Sequence, residues 1–269
     1  MLATGRIVHV LAAKEDDHLF RASGSQYARW WEQSHRREGL RMFDPASYSI
    51  DVPELGLPYT EIKKLSEAPS VLFLHGTMAQ SHTGFGAMPR AFMEILSDLY
   101  GGRMWAYDHF TLSRSPGDNA RLLLDDLRRL ARRETFEIDV VAHSRGGLVA
   151  RELCELAARA DQVTVRSITF VATPNAGTPL CRPDNLDVFA SQLTNMLLGP
   201  EDAPIRDALD SVIALVKHLA VGGLNGIDGV RAMDPEDKRL GALNLGSRPS
   251  DVRYFAVGSD HQPTGGFPG

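Results

Sequence analysis

Four short apolar runs punctuate the middle of the chain: Val71–Leu74, Arg103–Asp108, Ile138–Ala142 and Val165–Ala172. Each has the length and near-continuous apolar character of a strand buried on both faces. The first three are each followed by a segment whose apolar residues recur at helical spacing. Pro89–Leu99 is expected to point Phe92, Ile95 and Leu96 inward. Asn119–Arg133, N-capped by Asp118, carries a stripe of Leu122, Leu123, Leu127 and Leu130. The segment after Ala142 carries Leu148, Val149, Leu153, Leu156 and Ala157. Strands and helices alternating in this way predict an α/β fold, a mostly parallel sheet flanked by helices on both faces.

The alternation weakens towards either end. Residues 1–69 read as an N-terminal cap or edge-strand region beside a main domain at 70–269. Within the cap, Arg6–Ala12 and Tyr48–Val52 read as strands and Leu55–Tyr59 as a Pro/Gly turn. Gln26–Arg37 reads as a short helix with Tyr27, Trp30 and Trp31 near one face. Further on, Leu186–Leu198 and Pro204–Val221 are amphipathic, the second capped by Asp202, and no strand pattern separates them. Gly222–Gly229 is a glycine-rich link, and Val252–Val257 reads as one more strand.

The candidate chemistry sits at the corner Ala142-His143-Ser144-Arg145-Gly146-Gly147, where a strand ends and a helix begins. A strained turn needs small residues two before and two after its serine, and Ala142 and Gly146 supply them. Such a turn lifts the Ser144 hydroxyl clear of the sheet. The helix N-terminus then favours negative charge beside it. Two other strand ends carry loops rich in small residues, His75-Gly76-Thr77 and Thr173-Pro174-Asn175-Ala176-Gly177-Thr178-Pro179. Ligands of open α/β sheets bind at this carboxyl edge.

In their order along the chain, these three stretches resemble motifs of the α/β-hydrolase superfamily. They are nearest to bacterial lipase-like serine hydrolases of the lipase/acyltransferase group. The resemblance runs from about Ser70 to about Val257. It departs from the family at Ala142, where a glycine is usual, and at Asn175-Ala176, where histidine and a variable residue are common. It implies hydrolysis of carboxylic esters, lipids or acylglycerol-like substrates among them, through an acyl-enzyme at Ser144. It implies an oxyanion hole made by the amides of Thr77 and Arg145, an arrangement worth a few kcal/mol of barrier. It implies a helical lid at about 186–246, lining an acyl pocket. His109 and Met78, on the motif loops, are candidates for substrate contact, as is His82. No cofactor and no metal is implied, and the chain holds no HExxH or Cys/His cluster. An acyltransferase or amidase would share the same acyl-enzyme. A non-catalytic, hydrolase-like regulatory or binding module is the reading from a different class.

The family order is nucleophile, acid, histidine. Asp260 stands just after the last expected strand, where the acid belongs, and His261 adjoins it. Only His218 and His261 follow Ser144. The histidine belongs beyond one further strand, which this sequence does not show. The expectation is that a C-terminal continuation or a partner chain supplies it, with Asp260 and His261 as the candidates within the chain.

Composition narrows the rest. A net charge of -5 over 269 residues argues against a general nucleic-acid binder. The 43% hydrophobic and 23% charged content is that of a soluble globular protein. No apolar run is long enough for a transmembrane segment. Lys14, Glu15, Asp16 and Asp17 interrupt any signal-like core after Met1. Two cysteines, Cys154 and Cys181, make no disulfide framework. A cytoplasmic protein is expected.

Overall fold

A computed structural model describes residues 24–131, 134–160, 162–182, 185, 188–189, 227–246, 249 and 251–258. The strand expected at Arg6–Ala12, nearly all of the two helices expected between 186 and 221, and both Asp260 and His261 lie outside these residues.

The described chain runs α1 (Gly24–His35), β1 (Gly39–Met42), α2 (Tyr59–Ser66), β2 (Ser70–Leu74), α3 (Ser81–Phe85), α4 (Arg90–Tyr100), β3 (Met104–Asp108) and α5 (Pro116–Ala131). It continues through β4 (Phe136–His143), α6 (Gly146–Ala157), β5 (Val163–Val171), α7 (Asp228–Arg231), α8 (Lys238–Leu245) and β6 (Arg253–Val257). The six strands form one sheet in the order β1-β3-β2-β4-β5-β6. Only β1 is antiparallel to its neighbour, and the other pairs are parallel.

Strand residues alternate between two cores. Leu72, Leu74, Trp105, Tyr107, Ile138 and Val140 face a cluster built with α2, α5 and α6. Val71, Phe73, Met104 and Ala106 face a second cluster with Phe43, Phe85 and Met93. Both faces of the central strands are therefore covered, which is why β2 and β3 are buried at every position. The mostly parallel α/β architecture predicted from the alternation is the one observed.

Several local expectations are corrected. No strand forms at Tyr48–Val52. The Asp44 carboxylate accepts the amides of Ala46 and Ser47 and holds that stretch in a turn, so the edge strand is Gly39–Met42 instead. Helix α4 buries Met93, while Phe92 and Ile95 are 42% and 57% exposed; only Leu96 of the expected inward set packs on the core, in part. Helix α5 begins at Pro116, with Ser115 as its cap: the Ser115 hydroxyl oxygen accepts the amide of Asp118 at 3.2 Å. Its buried stripe is Ala120, Leu123, Leu124 and Leu127, and Leu122 lies outside it. Trp31 is buried and stacks on His35, whereas Trp30 is largely exposed. Cys154 and Cys181 are both buried and free. Among the described residues, no helix is long and apolar enough to cross a membrane.

Candidate active site

The carboxyl ends of β2, β4 and β5 converge on Ser144. Its φ is +52°, in the left-handed region that non-glycine residues seldom occupy. Two bonds hold it there: its own amide donates to Val171 O at 2.8 Å, and its carbonyl accepts the Gly147 amide at 3.0 Å. The corner closes only because its neighbours are small. A Cβ on Gly146 would lie 2.6 Å from the His75 carbonyl oxygen and closer still to that of Leu74. A Cβ on Gly76 would lie 2.9 Å from that of Ser144. Helix α6 and the loop after β2 therefore meet at backbone distance.

Ser144 opens on a cavity of about 540 Å³. Thr77, Thr83, His143, Thr173 and Thr178 supply its polar side chains, and Ala79, Ala172, Pro174, Leu180, Phe189 and Met233 its apolar wall. Among the described lining residues none is Asp, Glu, Lys or Arg. His143 Nδ1 and Thr173 Oγ1 are buried there without a protein partner, and burial lowers the His143 pKa. Ala172, at the end of β5, is a second left-handed residue, with φ +49°.

Behind the wall lies a stack of histidines. His75 Nε2 accepts the His109 amide at 3.1 Å, so its proton sits on Nδ1, which donates to Gly76 O at 3.0 Å. Burial lowers His75 to about 3. His109 stacks on it at 4.1 Å, donates from Nδ1 to Tyr107 O, and is pushed well below its usual range, again by burial. Both rings are neutral scaffold. His109 is buried and not among the cavity-lining residues, so the structure does not bring it to the Ser144 cavity. Met78 is buried as well, in a cluster with Trp31, Leu112 and Leu148, and its amide donates to Thr111 Oγ1 at 2.9 Å. His82, on α3, lies 3.9 Å from Asp51 and does not line the cavity. The structure does place Thr77 and Ser144 on the cavity together, with Arg145 directly after the serine.

The Arg145 side chain is the least expected feature. It is fully buried, with Nε donating to Gly229 O at 3.1 Å and Nη2 to Arg114 O at 2.5 Å. Burial lowers its pKa to about 10, against the pull of Glu32 and Asp118, and at neutral pH it is a cation. Glu32, on α1, is buried too. Its carboxylate accepts the successive amides of Thr111, Leu112 and Ser113 at 2.5, 2.7 and 2.9 Å, and the Ser113 hydroxyl at 2.6 Å. Nothing in the sequence marks Glu32, because a glutamate on an amphipathic helix ordinarily faces solvent. On the other flank, Arg151 of α6 donates to Asn175 O and Leu243 O, tying the loop after β5 to α8. Thr178 N adds a bond to Met233 O at 2.8 Å. No cluster of three metal-ligating side chains occurs among the described residues.

Solved structures with a similar course of chain include phospholipase PlaB from Legionella pneumophila, at 15% identity and a TM-score of 0.49, covering 71% of this chain and 39% of that one. The chain thus spans about two-fifths of that phospholipase. A NocB thioesterase domain, solved as a covalent complex with a fluorophosphonate nocardicin G analog, is 14% identical (TM-score 0.41; 72% and 86% of the two chains). Lipase BlEst2 from Bacillus licheniformis is 17% identical (TM-score 0.35; 60% and 62%). Among curated proteins none matches. A family model matches residues 35–268, and the chain belongs to that family, described as Domain of unknown function (DUF7379).

Proposed function

We propose that this chain is an α/β-hydrolase that cleaves carboxylic esters through an acyl-enzyme at Ser144. The observation that carries the reading is the left-handed Ser144 at a strand-to-helix corner, opening on a cavity beside Thr77. The equally left-handed Ala172 runs into an open loop, whereas at Ser144 a helix start and the loop after β2 close on the serine.

In this mechanism Ser144 Oγ attacks the ester carbonyl carbon while a base takes its proton. The carbonyl oxygen becomes an oxyanion held by the amides of Thr77 and Arg145. Neither amide donates to a backbone acceptor among the described residues. The base returns the proton to the departing alcohol, and water then releases the acid by the same steps in reverse. Of the described histidines only His143 lines the cavity, and it belongs to β4. We therefore assign the base to a histidine outside the described residues. His261 is to be tested first, Asp260 is the candidate acid, and a further polypeptide or partner chain is the other source. Residues about 186–246 act as the lid in this reading.

The cavity wall, without a formal charge among its described residues, suits a neutral acyl group, with any charged head group left outside. Lipid esters fit that description. Transfer to an acceptor other than water would use the same acyl-enzyme. A fluorophosphonate probe tests the reading. Wild-type protein should label on Ser144, and Ser144→Ala should abolish labelling and lower ester turnover by roughly ten-thousandfold or more. No labelling of the wild type, with any further polypeptide or partner chain that supplies the base present, would instead support a non-catalytic module.

A further inference from the structure

Three loops meet behind the Ser144 cavity, and one carboxylate from outside the sheet holds the middle one. Glu32 sits on α1, which precedes the first strand, yet its four acceptor bonds all go to residues 111–113. The same stretch serves the other two loops. Thr111 Oγ1 accepts the amide of Met78, the residue after Thr77. Leu112 O accepts the amide of Gly229 at 3.0 Å, and Gly229 O in turn accepts from Arg145 Nε. No side chain fits at Gly229, since a Cβ there would run into the Thr111 carbonyl.

The geometry points to Glu32 as a positioning residue for the oxyanion site: its carboxylate fixes residues 111–113, and these fix the loop that carries the Thr77 amide. This rests on the proposed ester-hydrolase reading for its purpose, though not for its geometry. Three consecutive amides converging on one point make an anion site that only a charged acceptor fills well. A glutamine there keeps the shape but replaces one acceptor oxygen with a donor facing N–H and O–H groups. The negative charge also offsets the buried Arg145 cation next to Ser144. Met78 has φ +59°, a conformation with a cost of its own, and the Thr111 bond to its amide holds it together with the packing of its side chain.

Residue-resolved amide hydrogen exchange on the whole chain tests this without requiring turnover. Glu32→Gln should speed exchange roughly tenfold or more at the amides of 111–113 and also at Met78, beyond any change in the sheet. Thr111→Val removes only the second link. It should speed exchange at Met78 while the amides of 111–113 stay protected, and it carries the test if Glu32→Gln fails to fold. In ester hydrolysis both variants should lower kcat by roughly tenfold with little change in KM. Glu32→Asp, which keeps the charge, should recover part of that loss. Unchanged Met78 exchange in Thr111→Val, or a uniform rise across the sheet in Glu32→Gln, overturns the role of Glu32. Loss of the exchange effect and absence of Ser144 chemistry are separate results, so each reading fails on its own observation.

Discussion

Adjacent parallel strands β4 and β5 end in the same unusual way, and the two ends do different things. Ser144 and Ala172 both sit in the left-handed region, with φ +52° and +49°. Both give their amide to the last carbonyl of the next strand, Val171 for the one and Val257 for the other. The strain therefore belongs to the sheet edge and is not peculiar to the serine. What differs is the continuation. After Ser144 the chain turns at once into α6, whose start is pressed against the β2 backbone through Gly146. After Ala172 it runs into an open loop anchored by Arg151 and by Thr178. A strained corner becomes a candidate nucleophile only when a helix and a second loop close on it.

Substitutions at and around the two corners should separate them, the most damaging first. Gly146→Ala forces a methyl between two carbonyl oxygens and should cost about 3 kcal/mol or more, read as a lower unfolding midpoint in urea. Gly241, in α8, has nothing within 4 Å of its Cβ position, so Gly241→Ala should be neutral or slightly stabilising there. The histidine stack behind the corner should respond to acid. His75 and His109 are held neutral in the folded protein and take a proton freely when unfolded. The unfolded state then binds more protons, so stability is full above about pH 6.5 and falls as the pH drops towards the lowered folded values. Each histidine should add a slope of about 1.4 kcal/mol per pH unit in that window, and His109→Asn should remove one of the two. A smaller effect than at Gly146 is expected at the second corner. Ala172→Gly should relieve strain and raise stability by about 1 kcal/mol without changing probe labelling at Ser144. If it abolishes labelling, the two corners are not independent.

The sheet and the Ser144 corner were legible because they obey short-range rules: apolar runs mark buried strands, and a tight turn restricts residues two positions away. Helix orientation was less so. Phe92 and Ile95 satisfy a helical period as well as Met93 does, and periodicity does not say which side of an amphipathic helix the sheet takes. Tyr48–Val52 looked extended until the Asp44 carboxylate claimed two amides next to it. The buried supports were illegible for another reason. Glu32, Thr111, Arg114 and Gly229 act on residues more than thirty positions away, and no local pattern records such a bond. His109 and Met78 lie on motif loops, but a loop has an inner side, and both occupy it.

The clamp on Arg145 has a consequence for synthesis. One carbonyl partner, Arg114, is made before the arginine, but the other, Gly229, comes 84 residues after it. At about 5–20 residues per second, the ribosome needs about 4–17 s to cover that gap. Throughout that interval the nascent chain carries a cation destined for burial with only part of its final shell. The corner therefore matures late in translation, after the central strands β2, β3 and β4 have all been made.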